Sequence, residues 1–174
     1  MKFDEICEDG KVAVALSISE IMLRIIDERN RDWDYFRKSV DLCWDWLMYK
    51  EIPSVRICER IGNIDNCAMP EIILRIKDIN LANRYGSILE CVSYAACHAF
   101  DYETPMSPYP SDIEGIDDEY LEELILELIE KKEISFENYE TILNYVRNNY
   151  HENNKIVMKQ EIISIVDAIT PDNR

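Results

Sequence analysis

Residues 117–132, DDEYLEELILELIEKK, decide the fold. Tyr120, Leu121, Leu124, Ile125, Leu128 and Ile129 recur every three or four positions, while Glu119, Glu122, Glu123, Glu127 and Glu130 fall on the other side. That is the period of a helix with one core-facing stripe and one solvated face. Asp117 suits an N-cap, and the acids near the start and Lys131-Lys132 at the end both complement the helix dipole. The spacing predicts a helix over 118–132.

Working outward, the same period recurs on both sides and alternating strand patterns are scarce. Upstream lies a Pro-rich segment, Glu103 to Ile116, whose Pro105, Pro108 and Pro110 remove backbone donors and impose a restrained, extended loop. Before it, a long helix from about Asn83 to Tyr102 carries Ile88, Leu89, Val92, Ala95, Ala96 and Ala99, its alanines permitting close packing. Two short helices precede that one: Pro53 to about Ile61, stopped by Gly62-Asn63, and one starting at Pro70 with Ile72, Ile73, Ile76 and Ile79. A polar loop, Asn63 to Met69, separates them. Nearer the N-terminus, Val12 to Glu28 reads as a helix apolar all round in its first half, which fits an enclosed position. Asp32 to Tyr49 follows, with Trp33, Phe36, Val40, Cys43, Trp44 and Leu47 in one stripe. Downstream, Ser135 caps a helix with Phe136, Tyr139, Ile142, Leu143, Val146 and Tyr150. An Asn-rich break at His151 to Asn154 and a last helix, Lys155 to about Ala168, complete the pattern. The expectation is an all-α, single-domain bundle of about seven to eight helices over residues 1–174, with little or no sheet.

The composition is that of a globular chain, 47% hydrophobic, despite a formal charge of −16. Residues 101–140 hold fourteen acids and two bases, so this quarter carries a net −12 of that total. Such a balance argues against direct binding of nucleic acid or an anionic membrane. Four acids precede the first apolar run, Val12 to Ser19, which Glu20 ends, so no secretory signal is expected and the chain is assigned to the cytoplasm. The six cysteines then read as reduced, mostly buried thiols.

Catalytic and metal motifs are wanting. No Ser-His-Asp order, phosphate-cradling glycine loop or His-Glu-x-x-His occurs among the 174 residues. Cys91 and Cys97 do not form a C-x-x-C pair, and only Cys91 and His98 share a helical face, so neither zinc nor another cofactor is expected. Asp112, Glu114, Glu122 and Glu127 would be the carboxylates of a Ca²⁺ or Mg²⁺ site, but the EF-hand spacing is missing. The sequence assigns His98 no acidic partner, and His151 reads as loop. The reading is therefore not an enzyme.

What remains is a binding surface: Asp112, Glu114, Asp117, Asp118, Glu119, Glu122, Glu123 and Glu127, running from the Pro-rich loop into the helix almost without cations. Self-repulsion on this scale opposes folding, and attraction to a basic protein partner is its simplest use. The substrate groove of a nucleic-acid enzyme is one such basic surface. Trp46 lies about 200° round its helix from Trp44, where it either packs on a neighbouring helix or stands exposed as a binding anchor.

The segments LSISEIMLRIIDE (16–28), DLCWDWLMYKEIP (41–53), CVSYAACHAFDY (91–102) and YPSDIEGIDDEYLEELILELIE (109–130) together resemble the sixth immunity-protein family of bacterial polymorphic toxin systems. The resemblance covers most of residues 11–132. It implies an α-helical, cytoplasmic protein that neutralises a cognate toxin domain by stoichiometric binding, with no catalytic residues to carry over. A regulatory or scaffolding helical domain using an apolar groove is the other reading, which an exposed apolar patch near Trp46 would mark. A hydrolase with a carboxylate metal site would need the acids to converge in a cleft.

Overall fold

A computed structural model describes residues 3, 5–62, 68–105, 107–150 and 157–170. Among them run eight helices and no strand: α1 Glu8–Ile25, α2 Trp33–Tyr49, α3 Ser54–Ile61, α4 Met69–Arg75, α5 Ile79–Glu103, α6 Asp118–Glu130, α7 Phe136–Asn149 and α8 Lys159–Ile169. The fold is the all-α bundle expected.

Helix α1 is the axis. Every residue from Val12 to Leu23 is buried, whichever way it points, because α2, α5, α7 and α8 all pack on it. Its most extensive contact is with α5, where Ala95, Ala96 and Ala99 are buried and their missing bulk lets the two helices approach. Helix α5 in turn carries α2, α3, α4 and α6. The molecule is thus a central α1–α5 pair with the other six helices arranged around one or both. One continuous cluster of buried side chains runs from Phe3 to Val166.

Several boundaries differ from expectation, each for a local reason. Helix α1 starts at Glu8, a turn before Val12, with Glu8 and Asp9 in its first turn. It ends at Ile25, where Ile26 turns extended and the Asp27 carboxylate accepts the Arg29 amide at 2.9 Å to set a turn. Helix α5 starts at Ile79, not near Asn83, because the Asp78 side chain accepts from the Asn80 and Leu81 amides. Ile79 therefore belongs to α5 and not to the short helix before it. Helix α8 begins at Lys159, and Met158 just before it is exposed. Glu103 is the last residue of α5, and its carboxylate receives the backbone amide of Ser54 at 2.8 Å and the Ser54 hydroxyl at 2.5 Å, capping α3 from another helix. Of the predicted polar loop, Asn63 to Met69, residues 63–67 lie outside the described residues and Met69 opens α4, while the break at 151–154, with His151, lies wholly outside them.

Five of the six cysteines are described: all carry free thiols and four of them are buried. Burial pushes the Cys91 thiol up to about 12 and the Cys97 thiol up to about 11, which keeps both protonated and unreactive at neutral pH. Among the described residues no helix is long and apolar enough to cross a membrane.

Candidate protein-binding face

Helix α6 is fixed by its N-cap, Asp117, whose side chain accepts the Tyr120 amide at 2.9 Å. Leu121, Leu124, Ile125 and Leu128 are buried, so the opposite side of the helix must face solvent. Glu119, Glu123, Glu127 and Glu130 are exposed there. Between them stands Leu126, 50% exposed. At 100° per residue Leu126 shares its face with Glu119, Glu122, Glu123 and Glu130, one or two turns away. No ion pair within 4 Å joins Glu119, Glu123 or Glu130 to a cation among the described residues. Leu126 is the residue of this face that the core-and-acid pattern passes over, although its phase amid the glutamates is visible in the sequence.

The other acids assigned to the face are divided. Glu127 is engaged by Lys131, one turn on. Glu122 is half-buried, on the side where Tyr139 of α7 feels its charge. Asp112 and Glu114 are exposed in the loop, but the Asp112 carboxylate rests on Gly62 at the end of α3, where a Cβ would meet it at 2.1 Å. Glycine at 62 lets the loop close onto α3 there. The carboxylates Asp112, Glu114, Glu122 and Glu127 form no metal-sized cluster among the described residues.

Asp118 has a different role from the one its place in the acidic run suggests. Its carboxylate takes the Lys11 ammonium at 2.6 Å and the Tyr94 hydroxyl at 2.6 Å, joining α6 to α1 and α5. Burial pushes the Asp118 carboxyl up, but these two hydrogen bonds outweigh it and hold the group below its ordinary value. Lys11 also bonds Glu8 at 2.9 Å, and His98 Nδ1 lies 3.4 Å from Glu8. His98 therefore has two acids beside it in space, Glu8 and Asp118, that are both remote from it in sequence. Glu8, His98 and Asp118 offer donor atoms within 4.8 Å of one another, and the Lys11 ammonium already sits between the two carboxylates as their counter-ion.

Trp46 is buried, 1% exposed. The Lys50 ammonium lies 3.6 Å from its ring centroid, and the exposed Tyr102 ring meets it edge-on at 6.4 Å. Of its two alternatives the packing one holds, and the indole offers no face to a partner. Near Trp46 the exposed rings are those of Tyr102, against the indole, and of Tyr49, three residues on in α2.

One charged site has no counterpart in the sequence reading. Glu20, 2% exposed, accepts two hydrogen bonds from Arg37, at 2.7 and 2.8 Å, and one from Trp44 Nε1 at 2.9 Å, with Arg24 at 3.3 Å. Arg37 and Lys159 share Asp41, and Arg24 reaches Asp167, so α1, α2 and α8 meet through this network. A cleft of about 580 Å³ opens beside it. Acid and base alternate within the network, which reads as an internal ion cluster and not as a field directed outward.

The fold is all-α, and one side of α6 presents glutamates to solvent. The model of the family described as Immunity protein Imm6 matches residues 10–132, from the first turn of α1 to just beyond α6. The chain belongs to this family, and membership implies a cognate toxin as its partner. No curated protein and no solved structure matches the chain.

Proposed function

We propose that this immunity protein neutralises its toxin in the cytoplasm by one-to-one binding, without catalysis, and that the outer face of α6 docks on a basic surface of the toxin. The observation that carries the reading is the set Glu119, Glu123 and Glu130, unpaired among the described residues and gathered round an exposed leucine. An apolar anchor inside a charged rim is the arrangement of an interface hot spot, while uncompensated charge of one sign speeds encounter with its opposite. A nuclease cleft, shaped to hold phosphates, is one basic surface that it fits.

Asp118 is left out of the test because it holds Lys11 and Tyr94 in place. The Glu119→Gln, Glu123→Gln, Glu130→Gln triple variant should associate about tenfold more slowly with the cognate toxin domain, at low ionic strength. Its association rate should also depend less on salt. Stopped-flow or surface-binding kinetics measures both, and an unchanged rate with an unchanged salt dependence removes α6 as the docking face.

A further inference from the structure

Beside α6 lies a groove of about 690 Å³ between α4, the first half of α5 and the second half of α6. Its walls include Leu74, 84% exposed, and Ile79, 69% exposed, the two most exposed large apolar side chains among the described residues. Leu128 and Gly86 also line it. Gly86 stands inside a 25-residue helix, where glycine costs roughly 1 kcal/mol relative to alanine. Among the described residues nothing lies within 4 Å of where its Cβ would be. The packing of this chain therefore gives no reason for a glycine at 86, and the space it leaves opens into the groove.

The charge around the groove has a sign. Glu90, Glu127 and Glu133 stand against Arg84 and Lys131. Arg84 is taken by Glu133 at 3.0 Å and Lys131 by Glu127, while no ion pair within 4 Å joins Glu90 to a cation among the described residues. Burial first, and then the charge of Glu127, pushes the Glu90 carboxyl up, against a hydrogen bond from Tyr120 and the charge of Lys131. The groove and the α6 face share Glu127 and form one acidic surface with an apolar furrow along its edge.

We propose that this groove is the second half of the toxin-binding surface, and that it receives an aliphatic or aromatic side chain of the toxin's basic face, with a neighbouring lysine or arginine reaching Glu90. The proposal rests on the reading of α6 above and divides the labour: the glutamates set the rate of encounter, and the groove sets how long the complex lasts. Charge complementarity chooses the occupant, because the three carboxylates along the groove, Glu90, Glu127 and Glu133, outnumber its two cations, Arg84 and Lys131.

Gly86→Leu fills the groove from its floor without displacing anything the fold uses. The probe is the same toxin domain, carrying an inactivating substitution. Gly86→Leu should melt at or above the wild-type temperature, associate at the wild-type rate and dissociate about tenfold faster or more. Leu74→Ser should also dissociate faster, without loss of stability. If both variants dissociate at the wild-type rate, the groove proposal is overturned, whatever the α6 triple variant does. An unaffected α6 variant beside a fast-dissociating Gly86→Leu removes the α6 reading and keeps the groove as a toxin contact. A wild type that fails to bind the toxin domain overturns both. A lower melting temperature for Gly86→Leu, or a dimer in sedimentation that this substitution abolishes, assigns the groove to this chain itself or to a second copy, and the proposal fails.

Discussion

A single buried carboxylate, Glu20, does more for the interior than any of the fourteen acids between residues 101 and 140. It satisfies Arg37 twice and Trp44 once in the space between α1 and α2. Removing one member of a buried ion pair strands its partner, at a cost of about 3 kcal/mol. Glu20→Ala should therefore lower the unfolding free energy measured in urea by that much at neutral pH, and a loss below about 1 kcal/mol would place the pair among exposed ion pairs of little worth. Sequence alone does not reveal this, because an acid at the end of an apolar run reads as the point where the core stops. Its cue is there in retrospect: Arg24 lies one turn on, and Arg37 and Trp44 lie on the helix that folds back against α1. At Leu126 the missing information was of another kind, since the phase was legible and only its placement in solvent gave it meaning.

At the scale of the element, α6 was the most legible helix and α1 the least. A helix with one face in water writes its period into the sequence, whereas one buried on all sides has no period from which to locate its start. The Pro-rich loop and the α6 cap were also readable, because proline geometry and Asp117 act locally. The clamp across α1, α5 and α6 was not, since it joins residues 8, 11, 94, 98 and 118. Burial pushes the His98 imidazole below its ordinary 6.5, and Glu8 and Asp118 offset this only in part, with Lys11 opposing them and Asp101 adding to them from its own helix. A histidine whose pKa is lower folded than unfolded binds its proton more readily in the unfolded chain. Stability should therefore fall as pH drops below about 6.5. His98→Gln should flatten thermal stability against pH between about 6.5 and 5, and the same slope in both proteins would show that the clamp does not feel this proton.

For the whole molecule, the core that joins Phe3 to Val166 leaves no seam between the family-matched region and the last two helices. The Cys7 amide donates to the Tyr150 carbonyl at 3.2 Å, tying the start of α1 to the end of α7. The chain should unfold in one transition, with calorimetric and van't Hoff enthalpies in agreement. A chain cut after Lys132 keeps the whole matched region but exposes the sides of α1 that α7 and α8 cover, and it should lose its sharp melt. Two separate transitions, or a shortened chain that melts like the full one, would make residues 10–132 a domain on their own. The enclosure of α1 also has a consequence in time. The most enclosed of the eight helices is the first of them to be synthesised, yet its last covering helix, α8, closes at residue 169. At ribosomal rates of about 5–20 residues per second, the run from Val12 to Leu23 waits on the order of ten seconds for its neighbours. Over that interval the nascent chain presents its future axis to chaperones and to other unfinished chains, so the folded protein appears only some time after synthesis of α1.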